Sequence, residues 1–292
     1  MYVVPELRTQ KDLVADVRAM LRDPGRDRWH ESEPKRQMNR ALEQWHGRVL
    51  VPMLYTMAGW ETGVYEYDLP DYIRGPIQPQ GKVLVPYVGT NGDTRQLVWA
   101  DLHGWGLEPD GKGGQVLRLQ FNEGVVGASN EARLLWWAEN GPMPLQEVKL
   151  ASGIGSTDTT LTLDKAPRVG RAGFVKIGDE WVQYAGTSES GGQLTLQNLV
   201  RGVRSTASSH SSGDPVLWGV AVTDPTLWTQ LSHQTLAYLH GLFLTAAPSR
   251  EVEHHQWQMR WYQQQADDYW QRFTPARAPR LKRGRRAGVV YR

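Results

Sequence analysis

The sequence predicts an α+β chain: a helical bundle formed by helices from both ends, a large inserted antiparallel β region holding a small barrel or sandwich, and an extended C-terminal arm. Two observations set the first part of that reading. Apolar residues recur at helical spacing before about residue 63 and again after about residue 220, whereas β-prone runs broken by Gly, Pro, Asn and Asp fill the middle. The third is that residues 276–292 carry seven basic side chains and no acidic one.

Thr9 suits a helix cap, and Leu13, Val14, Val17, Met20 and Leu21 follow on one face. Asp23-Pro24-Gly25 should stop that helix. A second starts at Ser32, with Pro34 in its first turn and Met38, Leu42, Trp45 and Val49 keeping the period, and Pro52 marks its end or a kink. Residues 1–63 therefore read as a helical hairpin. Residues 64–150 form the first part of the β insertion, with strands expected at 83–85, 116–121 and 133–138. Residues 151–219 read as a compact barrel or sandwich module, from the alternation at 159–163, 174–177, 180–184, 194–196 and 216–218. Asp224-Pro225 opens a helix along Leu227, Leu231, Leu236, Leu239, Leu242 and Phe243. Pro248 ends it, and Ser249 caps a last helix that Pro275 ends, so residues 220–274 complete the bundle and 275–292 are the basic arm. On this plan the β module is an insertion whose removal leaves the helical core intact.

At 292 residues and 40% apolar composition the chain can bury a sizeable core, and no run is long and apolar enough to span a bilayer. The first thirty residues show no signal-peptide pattern, so no export is expected. The absence of cysteine excludes disulfides, thiolate metal sites and cysteine nucleophiles. Thirteen tryptophans read first as core and interface filling. The net charge of +2 conceals a division: Arg277, Arg280, Lys282, Arg283, Arg285, Arg286 and Arg292 leave 26 basic against 31 acidic residues elsewhere. An acidic partner, protein or nucleic acid, is implied for that stretch. Its apolar Val289-Val290-Tyr291 ending favours a protein groove over DNA.

The sequence carries little that matches an active-site motif. Adjacent His254 and His255 point about 100° apart on a helix, unlike an i,i+4 ligand pair. His233 and His240 share a face with no carboxylate between them at helical spacing. Gly104-Trp105-Gly106 and Gly111-Lys112-Gly113-Gly114 lack the Gly-Lys-Ser/Thr of a phosphate loop, and Ser152-Gly153-Ile154-Gly155-Ser156 places Ile where a nucleophile elbow needs Ser. Asp267-Asp268 and the Asp68/Asp71 pair read as surface or turn carboxylates. No metal, cofactor or enzymatic activity is expected.

Arg22-Asp23, Trp29 and Met38-Asn39-Arg40-Ala41-Leu42 resemble the opening hairpin of tailed-bacteriophage head–tail adaptor, or connector, proteins. Tyr65-Glu66-Tyr67-Asp68-Leu69-Pro70-Asp71-Tyr72-Ile73-Arg74 is similar to a Tyr-x-Leu-Pro-x-Asp-Phe-Leu-Arg strand in such adaptors, except that the acidic residue here directly follows Pro70. Gln234 to Leu239 with Ala246-Ala247-Pro248 resembles their third helix, and the helix bearing Tyr262, Tyr269 and Phe273 their fourth. Residues 156–219, through Ile177-Gly178-Asp179-Glu180-Trp181, Leu199-Val200-Arg201-Gly202-Val203 and Ser208-Ser209-His210, resemble a β module that recurs in phage virion proteins. Residues 75–150 resemble no such pattern.

The resemblance implies a structural protein of the virion neck, met in the host cytoplasm during assembly. It implies a homo-oligomeric ring, usually of twelve subunits, between the portal protein and a tail or nozzle protein. Arg277, Arg280, Lys282, Arg283, Arg285, Arg286, Tyr291 and Arg292 would dock on the portal, and Trp45, Trp228, Trp257 and Trp261 would seal neighbouring subunits. The acidic body would surround passing genomic DNA without sequence-specific binding, and no membrane is involved. A baseplate or tail-fibre attachment protein is the alternative, since it shares the β module without needing the arm. A carbohydrate-binding protein or cell-wall hydrolase using its tryptophans, and a nucleic-acid-binding protein using its tail, are readings of other classes.

Overall fold

The computed structural model describes residues 5–22, 29–30, 32–61, 63–70, 73, 82–91, 94–102, 105–109, 115–119, 131–246 and 249–273. These form a mixed α+β chain with four helices and several small antiparallel sheets. The element order begins β1 (Glu6–Thr9), α1 (Gln10–Leu21), α2 (Ser32–Glu43), β2 (Leu50–Ala58) and β3 (Glu66–Leu69). It continues with β4 (Lys82–Asn91), β5 (Thr94–Leu102), β6 (Trp105–Pro109), β7 (Gln115–Leu119) and β8 (Glu131–Glu139). Then follow β9 (Val148–Lys149), β10 (Leu161–Thr162), β11 (Ala172–Ile177), β12 (Glu180–Ala185), β13 (Thr187–Ser190), β14 (Gln193–Leu196) and β15 (Pro215–Val222). The last elements are α3 (Thr226–Ala246) and α4 (Ser249–Arg272). The turns expected at Asp23-Pro24-Gly25 and at Pro248, and the arm at 275–292, lie outside the described residues.

The first helix starts as its sequence dictates. Thr9 Oγ1 accepts the Asp12 N–H at 3.1 Å, and the Asp12 carboxylate accepts the Thr9 N–H at 3.3 Å, closing a capping box. Leu13, Val14 and Val17 are buried, while Met20 is exposed. Arg22 ends the helix in the left-handed region, at φ 55°.

The second helix departs from expectation. It ends at Glu43, a turn through Gly47 (φ 69°) follows, and Pro52 stands inside strand β2 rather than at a helix end. Two physical causes compete here. Val49-Leu50-Val51-Pro52-Met53-Leu54 is an unbroken apolar run, which suits a buried strand, and it outweighs the helical spacing of Trp45 and Val49. Trp45 still reaches the core from the turn, where its Nε1 donates to Gln230 Oε1 at 2.7 Å.

The chain divides into two compact units, one from Met1–Tyr55 with Ala138–Phe273, the other containing Thr56–Trp137. In the first unit, the main sheet runs β1-β15-β11-β12, with β9 also paired to β15, and a second sheet runs β10-β14-β13. Among the described residues neither closes into a barrel. The reason is β15: it takes β11 on one side and β1 from the start of the chain on the other, so the sheet stays open with β1 and β12 at its ends.

The 151–219 module is not set apart from the helices. Leu13, Val17, Met38 and Trp45 from the N-terminal segment, Val175, Ile177, Tyr184 and Leu196 from the module, and Leu231, Leu236 and Leu239 from α3 belong to one buried cluster. Three side-chain amides tie this unit together, each gripping both backbone groups of a distant residue. Asn39 on α2 donates to Met143 O at 2.8 Å and accepts from Met143 N at 3.0 Å. Asn140 does the same to Ala221 on β15, at 2.8 Å each way. Gln183 on β12 donates to Leu54 O at 2.5 Å and accepts from Leu54 N at 3.1 Å. Each amide thus satisfies both backbone groups of the residue it holds.

β2 and β8 are divided between the two units and belong to the sheet β2-β8-β4-β5, while β3-β7-β6 form a smaller sheet in the second. Arg118 on β7 bridges Glu66 on β3, at 2.7 Å, and Glu108 on β6, at 2.6 Å. Trp60 stacks on Tyr67 with ring centres 4.7 Å apart.

Candidate functional site

The seven basic residues and Tyr291 assigned to portal docking lie outside the described residues. The four tryptophans assigned to subunit contacts separate into two pairs. Trp45 (2% exposed) and Trp228 (9%) are buried within the chain itself, the first against Gln230. Their area is already used in the core. Trp257 (60% exposed) and Trp261 (40%) stand outward on α4, four residues apart, with ring centres 6.4 Å apart and planes 18° from parallel. Trp261 is braced edge-on by Tyr262 at 4.8 Å. Ala266 and His255 bury the other side of α4, so the indole pair sits on an anchored helix. The spacing Glu253, Trp257, Trp261, Gln264, Asp268 makes one helical stripe, with an acidic residue at each end.

A cleft of about 450 Å³ opens between α2 and the 140–168 segment. Leu42, Pro142, Met143 and Val148 line it, and Leu145 is exposed at the same site. Lys165 and Arg168 border it from one segment, Glu43 and His46 from the other. The His46 ring pairs with the Glu139 carboxylate, and Lys165 Nζ donates to Glu147 O at 3.0 Å. Two features set the shape of the walls. Asn39 holds Met143, as above, and Gly141 meets Gly170 so closely that a Cβ on Gly141 would lie 2.3 Å from Gly170 Cα. Only glycine permits that approach.

The densest polar cluster belongs to the module. The Glu180 side chain is wholly buried and accepts from Arg201 Nε and Nη2 at 2.8 Å each, from Gly202 N at 3.0 Å and from Ser208 N at 3.1 Å. Arg201 also donates to Gly155 O (2.5 Å) and Ser208 O (2.7 Å). Burial pushes the Glu180 carboxyl up, but the bonds from Arg201, His210 and Ser208 outweigh it and hold it at about 2. His210 Nε2 lies 2.7 Å from Glu180 Oε2 and 3.3 Å from Ser208 Oγ. A serine–histidine–acid relay needs the acid on one ring nitrogen and the hydroxyl on the other, so this geometry fastens the 201–210 loop instead. Sequence alternation already hinted at it, because Glu180 falls on the buried face with Val182 and Tyr184.

The important histidine contact joins two helices. His240 on α3 and His255 on α4 are both buried, with Nδ1 atoms 3.0 Å apart. Phe243 stacks on His255 at 4.4 Å and Tyr262 on His240 at 5.6 Å. His254 stays exposed, and the Glu251 carboxylate is 4.0 Å from His255 Nε2. His233 and His240 do not converge; His233 instead sits among Trp261, Tyr262 and Tyr269. Among the described residues no three potential ligand side chains gather for a metal, and no helix is long and apolar enough to cross a membrane.

Burial lowers the His240 pKa to about 4, assisted by the neighbouring charges His255 and His254. Above pH 6.5 the ring is neutral folded and unfolded, so stability is full. Between pH 6.5 and 4 only the unfolded chain takes up the proton, and stability falls by up to about 3 kcal/mol, about 2 kcal/mol of it by pH 5. Urea denaturation at pH 7 and pH 5 should show that loss, and His240→Leu should flatten it. An equal pH dependence in the variant would contradict the assignment to His240.

No protein-family profile, curated protein or solved structure matches this chain.

Proposed function

We propose that this chain is a structural subunit of a tailed-phage neck, the head–tail adaptor that joins a portal ring to the tail around the DNA channel. On this reading α1 to α4 act as the helical bundle of the ring body, and residues 275–292 act as an extended arm that gains order on the portal. The observation that carries the proposal is the charge division: seven cations and no anion in residues 276–292, directly after α4, against an acidic remainder. The resemblance of the helical segments to adaptors supports it, as does the outward Trp257–Trp261 pair, since large exposed aromatic area marks contact surfaces. The net-negative body suits passage of DNA without adhesion. No enzymatic step, metal or cofactor is part of this function.

Truncation after Thr274 tests it. The shortened chain should keep its circular dichroism and melting temperature but no longer cosediment with purified portal rings. Undiminished cosedimentation would remove the arm's role. A baseplate or fibre-attachment protein is the second reading, favoured only by the module resemblance, and predicts no portal binding by either form.

A further inference from the structure

We infer that the Trp257–Trp261 ridge of one subunit seats in the 140–168 cleft of a second copy, so that the chain assembles head to tail. This rests on the proposed ring function and names the contact that builds the ring. Both halves face outward in the single subunit: the ridge is exposed on α4, and the cleft opens at the surface with Leu145 exposed beside it. At about 450 Å³ the cleft has room for an indole side chain, and its lining of Leu42, Pro142, Met143 and Val148 is apolar.

Charge selects the occupant. Glu253 and Asp268 flank the ridge on its own helical stripe, whereas Lys165 and Arg168 border the cleft. Exposed Arg260, next to the ridge, has Glu43 on the cleft's other wall as its counterpart. The acidic flanks of the ridge fit Lys165 and Arg168, and those two cations disfavour the basic 276–292 stretch as the occupant of that side of the cleft. Where each union seats one ridge in one cleft, one of each stays unused. Repetition therefore closes a ring or extends a filament, as a heterologous interface must.

The full chain tests this by sedimentation at concentrations rising to the millimolar range. Wild-type protein should associate. Trp257→Ala with Trp261→Ala, and separately Lys165→Glu with Arg168→Glu, should each lower the association constant at least about tenfold at unchanged melting temperature. An equimolar mixture of the two variants, one with a sound cleft and one with a sound ridge, should give two-subunit particles and nothing larger. A wild-type chain that stays monomeric, a variant that associates like wild type, or a mixture that stays monomeric would each overturn the inference. Cosedimentation with portal rings, measured on the same proteins, separates the two claims. Monomeric protein that still binds portals through residues 275–292 sinks only the ridge and cleft, whereas ridge-dependent association without portal binding sinks only the adaptor reading.

Discussion

Excising residues 156–219 is expected to abolish the helical signal along with the β signal. The excision removes β11, β12 and the half of β15 that pairs with β11, and strips Val175, Ile177, Tyr184 and Leu196 from the cluster that also holds Leu13, Trp45 and Leu231. Each large buried side chain lost costs roughly 2–5 kcal/mol, and a domain's whole stability is about 5–15 kcal/mol, so a handful of such losses exhausts it. Far-ultraviolet circular dichroism would read the outcome directly. The contrasting excision is 56–137, replaced by a short linker: those residues form the other compact unit, so the helices should survive it. A helical spectrum retained after the first excision would restore the view of the module as a removable insert.

Glu180→Ala should be the most damaging single substitution in the module, at about 3–5 kcal/mol. The cause is not the lost attraction alone. Arg201 is almost wholly buried, at 7% side-chain exposure, and would be left charged with two backbone carbonyls as its only partners. Gly202 N and Ser208 N would also lose their acceptor. Pairing Glu180→Leu with Arg201→Met should recover part of the loss, because no unpaired charge remains. Denaturant titration of the two variants and the wild type measures the difference; a double variant less stable than Glu180→Ala would show the charge pair to be worth more than its desolvation. Acid follows the same logic. The Glu180 contribution is present above the ordinary carboxylate range and is lost as pH falls from about 4.5 to 2, mostly below the window in which His240 acts.

Much of this was legible along the chain, and the failures share a cause. The Thr9–Asp12 box, the amphipathic face of α1, the start of α2 at Ser32 and the alternation of β11 and β12 are local signals, and local structure follows them. Trp45 and Val49 misled because tertiary packing, not helix, fixes their spacing: one hydrogen-bonds to α3 and the other leads into β2. Strand β1 was invisible, since four residues gain strand character only from their partner β15. The amide grips of Asn39, Asn140 and Gln183 join residues 81 to 129 positions apart and leave no local signature. The same holds for His240 and His255, which meet only when α3 and α4 pack. Of the tryptophans, periodicity could not tell which would be spent in the core; burial separates Trp45 and Trp228 from Trp257 and Trp261.

The most direct measurement is where this protein sits in an intact particle. Gold-labelled antibody against the chain, viewed by electron microscopy on whole virions, should mark the junction of head and tail. Label confined to the distal end of the tail, or no label on purified particles, would contradict the adaptor.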